Sequence, residues 1–113
     1  MNHGLSAATV TKIHDVLSRH AEVEQAILYG SRAIGNFRPG SDIDLTLTGH
    51  GLNERILGQI IDELDDLLLP YKIDLSLNIR MIEHAGLRDH IQRVGKEFYR
   101  QQKIDPTLPV TPR

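Results

Sequence analysis

With 113 residues, 40% hydrophobic and 25% charged, the chain has material for one domain with a core of two or three layers, not for two lobes. A formal net charge of -2 lacks the basic excess of a general nucleic-acid binder, and the absence of cysteine excludes disulfides, thiolate zinc sites and a cysteine nucleophile. Met1 to Val10 has no signal-peptide apolar stretch and no run approaches a membrane span, so the expected setting is the cytoplasm, with neither membrane nor nucleic acid as a direct partner.

In chain order, Ser6 is the expected N-cap of a first helix, with Leu5 just outside it. Val10, Ile13 and Leu17 recur at helical spacing, and the helix should end near His20. Ala26 to Tyr29 is a short apolar run stopped by Gly30-Ser31, which predicts a buried strand. Arg32 to Ser41 contains Gly35, Pro39 and Gly40 and is expected to be mostly turn. Asp42 to Leu47 alternates with period two, setting Ile43, Leu45 and Leu47 on one face and Asp42, Asp44 and Thr46 on the other. Asn53 should cap a helix running to Leu69, with Ile56, Ile60 and Leu64 along its buried stripe and Pro70 closing it. Lys72 to Leu77 repeats the alternation, Glu83 to Val94 predicts a last helix ending at Gly95, and Lys96 to Tyr99 a short edge strand. The polar stretch after Gln101, with Pro106, Pro109 and Pro112, predicts a disordered or partner-dependent tail.

Asp42 and Asp44 project to one strand face, with Cα atoms roughly 6.5–7 Å apart. Two carboxylates so placed repel each other, but they suit a pair of divalent cations about 3.5–4 Å apart, the arrangement used for in-line phosphoryl displacement. A bare Asp-x-Asp is more often a solvated strand face. Asp74 shifts the balance, because it sits in the same phase of a second alternating strand, between Ile73 and Leu75, where aspartate is unfavourable. If the two strands are neighbours, three acids share one polar face. Gly30-Ser31, directly after a buried strand, lets backbone pass close to a ligand, and a helical turn starting at Ser31 would offer free amides to an anion. Arg32 and Arg38 flank that loop and could reach phosphate oxygens, although each taken alone is more often a solvated surface arginine. The histidines lack metal spacing and are expected to face solvent or a partner; Tyr29 is expected in the core.

Taken together, Gly30-Ser-Arg-Ala-Ile-Gly35, Ser41-Asp-Ile-Asp-Leu45 and Lys72-Ile-Asp-Leu75 resemble the minimal nucleotidyltransferase (MNT) family of the DNA polymerase β superfamily. The pattern is Gly-Ser, a loop of about ten residues, Asp-x-Asp, then a third acid on a later strand. The resemblance runs over 5–99, leaving 100–113 as a tail. It departs from many relatives at Ile34, where a basic residue is usual, and at Asn36, where an acid is. It implies an α/β (α+β) fold with a small mixed sheet flanked by helices. It also implies Asp42, Asp44 and Asp74 as catalytic ligands of two Mg²⁺ ions, with Gly30, Ser31, Arg32, Arg38 and Ser41 at the nucleotide.

The reaction implied is transfer of a nucleoside monophosphate, with pyrophosphate leaving. Larger antibiotic nucleotidyltransferases complete their acceptor site with a second domain, for which this chain has no room. Family members of this size are typically antitoxins paired with a HEPN-domain ribonuclease toxin. The resemblance therefore implies AMP transfer from ATP to a toxin tyrosine within a hetero-oligomer. The alternatives are a non-catalytic antitoxin acting by occlusion and a small-molecule, antibiotic-type transferase.

Overall fold

The computed structural model describes residues 3–78 and 84–101. Helix α1 (Ala7–Ser18) starts where expected, with Ser6 Oγ accepting the Thr9 amide at 3.1 Å. Its stripe of Ile13, Val16 and Leu17 is fully buried. A four-residue helix, α2 (Ser31–Ile34), occupies the start of a segment read from sequence as mostly loop. Helix α3 (Glu54–Asp65) is capped by Asn53 Oδ1 on the Ile56 amide at 2.9 Å. It ends at Asp65, short of the expected Leu69. The amides of Leu67 and Leu68 bond back three residues, to Leu64 and Asp65, and Leu68 takes a positive φ of 53°. The helix thus tightens and unwinds before Pro70, which itself disfavours helical geometry at the residue before it. Helix α4 (Ala85–Val94) begins after His84. Glu83, where that helix was expected to begin, and the tail beyond Gln101 lie outside the described residues.

Four strands, β1 (Gln25–Tyr29), β2 (Ile43–Thr48), β3 (Ile73–Leu77) and β4 (Lys96–Arg100), form one mixed sheet in the order β3-β2-β1-β4. β1 runs antiparallel to β2 and β4, and β2 runs parallel to β3. A parallel pair needs a crossover, which α3 supplies. On one face of the sheet Ala26, Leu28, Ile43, Leu45, Leu47 and Leu75 pack with the stripes of α1 and α3 into the main core. On the opposite face α4 packs over β1, through Leu87 and Ile91 against Ile27 and Tyr29.

Two histidines expected to face solvent or a partner instead tie elements together. His14 Nε2 donates to the Phe98 carbonyl at 2.6 Å, joining α1 to the edge strand. His20 Nε2 meets Glu63 Oε2 at 2.8 Å, joining the end of α1 to α3. No helix among the described residues is long and apolar enough to cross a membrane.

Candidate active site

The alternation of β2 and β3 decides where the acids go. Parallel pairing sets Asp44 directly opposite Asp74 and Thr46 opposite Ser76, while antiparallel pairing sets Tyr29 opposite Asp44. All point away from the main core, because Ile43, Leu45 and Leu75 beside them point into it. Asp42 stands one residue ahead of β2, exposed. Asp74 is exposed and Asp44 partly covered.

Gly30 makes this packing possible. It holds φ 75° and ψ -157°, a region open essentially to glycine, and a Cβ built there would overlap Asp44 Oδ2. Its carbonyl accepts the amides of Ala33 and Ile34, both at 3.1 Å, which starts α2. The amides of Ser31 and Arg32 then have no acceptor within the helix. They are the donors anticipated for an anion.

The rest of the loop is organised from inside by Arg32, whose residue is 1% exposed. Its Nε and Nη2 both donate to the Ser41 carbonyl, at 3.2 and 3.0 Å; Nη2 also reaches the Pro39 carbonyl at 3.2 Å and Nη1 the His3 carbonyl at 2.8 Å. The guanidinium lies over the rings of Phe37 and Tyr71, 5.1 and 4.9 Å from their centroids. Expected at phosphate, Arg32 is thus committed to loop carbonyls. Ser41 closes the same loop: its Oγ accepts the Arg38 amide at 2.8 Å and its amide donates to the Arg38 carbonyl at 3.0 Å. The Arg38 side chain is exposed.

Burial raises the Asp44 pKa above its ordinary value, and the carboxylates of Asp74 and Asp42 push it further. Burial likewise raises the Tyr29 phenol, against the neighbouring Ser76 hydroxyl and with added push from Asp74 and Asp44. Tyr29 is therefore core, as expected, but core that borders the acids. His90 was not singled out by the sequence; it accepts the Gly30 amide through Nε2 at 3.2 Å and meets the Tyr29 ring edge-on at 6.3 Å. Among the described residues, no three histidines or acids already stand close enough to hold a metal ion. Cavities of about 370 and 470 Å³ lie toward the other end of the sheet, around Gln25 and Thr48 with Asn78 common to both.

Residues 11–104 match the family model described as Polymerase beta, Nucleotidyltransferase. The chain belongs to that nucleotidyltransferase family. Among solved structures it is similar to a toxin–antitoxin with AMP-PNP (22% identity, TM-score 0.63, covering 82% of this chain and 74% of the other). It is also similar to a complex of tri-AMPylated Shewanella oneidensis HEPN toxin with an MNT antitoxin (18%, TM-score 0.60, 83% and 71%). A putative nucleotidyltransferase from Sulfolobus solfataricus gives 17% and TM-score 0.50, over 93% and 98%. At such identities these likenesses concern fold. No curated protein matches the sequence. The small mixed sheet flanked by helices, expected from the resemblance, is the nucleotidyltransferase core.

Proposed function

We propose that this nucleotidyltransferase is an MNT antitoxin that transfers AMP from ATP to a tyrosine of a cognate HEPN toxin. The observation that carries the proposal is the register of Asp44 beside Asp74, with the Gly30 turn packed against Asp44. That juxtaposition brings an anion-binding turn and paired carboxylates to one spot. The similar structures with AMP-PNP and with an AMPylated toxin support the nucleotide and the acceptor class.

The donor set suits Mg²⁺. Three carboxylates offer hard oxygen ligands, and Mg²⁺ usually takes one or two of them and completes its shell with water and substrate phosphate. Asp44 is reluctant to ionise beside Asp74 and Asp42, a repulsion that a divalent cation at the site would relieve. Bound there, two Mg²⁺ ions would neutralise the triphosphate and polarise the α-phosphoryl group.

In this reading Asp42 and Asp44 would hold the ions, and Asp74 would serve the attacking oxygen. The amides of Ser31 and Arg32 and the Ser31 hydroxyl hold the leaving pyrophosphate, with Arg38 and Ser41 at the loop's outer edge and the Arg32 side chain shaping it. The tyrosine oxygen bonds to the α-phosphorus, the bond to the bridging oxygen breaks, and the phenolic proton passes to the Asp74 carboxylate. A phenol with an ordinary pKa near 10 requires such an acceptor at neutral pH. The cytoplasm is the setting of this chemistry.

The competing reading is neutralisation by binding alone, which makes no use of metal at these acids. Incubating chain and toxin with ATP and Mg²⁺ and measuring the toxin's intact mass separates the two. Transfer predicts increments of AMP that disappear when Asp42 and Asp44 are both changed to Ala. Full neutralisation by that double variant, with no mass change under the wild type, would establish occlusion.

A further inference from the structure

We propose that His90 is a positioning residue for the phosphate-binding turn, fixing the Gly30 amide through Nε2 so that Ser31 is presented in one orientation. The proposal rests on the nucleotide reading of that turn. Gly30 needs such a partner more than most residues would. It has no side chain to pack, and at φ 75° it occupies a region from which a glycine peptide reorients easily. Its carbonyl is tied into α2, and the remaining polar group, its amide, is tied to His90 across 60 residues of sequence. The turn is thus held at both ends of one residue, by the helix it starts and by a helix from the far end of the chain.

The ring is itself held. Tyr29 meets it edge-on, at an interplanar angle of 82°, and the next residue, Ile91, is buried against the sheet with Leu87, Ile27 and Tyr29. α4 is therefore anchored by apolar contacts that do not need the hydrogen bond, which instead reaches past them to the active turn. An imidazole nitrogen that accepts a backbone amide presents its lone pair, so in the neutral ring the proton sits on Nδ1. With that lone pair occupied, Nε2 cannot also serve as a base for the acceptor hydroxyl. The geometry assigns His90 to orientation of the turn and leaves proton transfer to the acids.

Two substitutions separate an acceptor from mere packing. His90→Phe keeps a ring against Tyr29 and loses the acceptor, whereas His90→Gln keeps a side-chain oxygen that can take the Gly30 amide. Calorimetry with ATP and Mg²⁺ on the isolated chain should show binding weakened about fivefold in H90F, the equivalent of one neutral hydrogen bond, and close to wild type in H90Q. The melting temperature should fall by a few degrees in H90F and little in H90Q, and hydrogen exchange at the Gly30 amide should speed up in H90F alone. Were H90F not to fold, His90→Leu against H90Q makes the same comparison. Equal ATP affinity in H90F and wild type would overturn the proposal, as would equal weakening in H90F and H90Q. Absence of ATP binding by the wild type would instead refute the nucleotide reading, and this proposal with it.

Discussion

Strand β2 carries two chemistries on one backbone, and its two faces obey opposite rules. Ile43, Leu45 and Leu47 are at most 1% exposed and pack against α1 and α3, so their contribution is burial. Asp44 and Thr46, interleaved with them, are arranged at a cost. Asp44 is a carboxylate held among carboxylates, and Thr46 Oγ1 is buried with no hydrogen-bond partner among the described residues. Ordinary folding would select neither. Alternation here sets the core and the candidate site on successive residues, so neighbours in sequence should respond to mutation in opposite ways.

The largest expected effect is on activity at Asp44. Asp44→Asn should lower AMP transfer about a thousandfold, since metal-assisted charge stabilisation is worth several kcal/mol. The same variant should melt higher than wild type at pH 7 in metal-free buffer. The sign follows from the raised pKa: the folded state opposes ionisation of Asp44, so its penalty is fully present above the folded pKa. As pH falls below the ordinary value of 3.8 the penalty vanishes, and the two melting curves should converge. A destabilised Asn variant at pH 7 would break the contrast between the faces.

One residue along, Leu45→Ala should do the reverse. Truncating a fully buried leucine costs about 2–5 kcal/mol of stability, measurable by urea unfolding. Transfer per folded molecule should stay near wild type, because Leu45 points away from the acids. The smallest effect is expected at Thr46→Val, which replaces the unpartnered hydroxyl by a methyl of similar volume. Stability should rise by up to about 1 kcal/mol, with the rate little altered. A loss instead would mean that Thr46 Oγ1 is satisfied in solution, which would sharpen the picture of that face.

The parts of this architecture legible in sequence are those written locally. Period-two alternation gave both acid-bearing strands to within a residue at either end, and Ser6 and Asn53 marked their helix starts. The register that brings Asp44 opposite Asp74 was conditional in sequence on the strands being neighbours, and the sheet order meets that condition. What is not legible locally depends on distant partners. Arg32 reads as a solvated loop cation until His3 and Tyr71 arrive around it. His90 reads as one of several histidines on a helix until the chain returns it to Gly30. The end of α3 is hidden in the sequence because Leu67 to Leu69 continue its apolar pattern, while the backbone already turns at Leu68.

Arg32 carries one more consequence. The interval between the Gly-Ser turn and Asp42 is closed by a single side chain that starts in α2 and forks onto the Ser41 carbonyl, the last peptide before the acid. A motif's spacing is thereby a mechanical length, the reach of a guanidinium from its own Cα. Residues on the outer arc, such as Ile34 at 53% exposure and Asn36, can change without touching that tie. Adding or removing one would displace the Ser41 carbonyl from the fork and with it the position of Asp42. On that outer arc composition is free and length is not, and the buried arginine is the ruler.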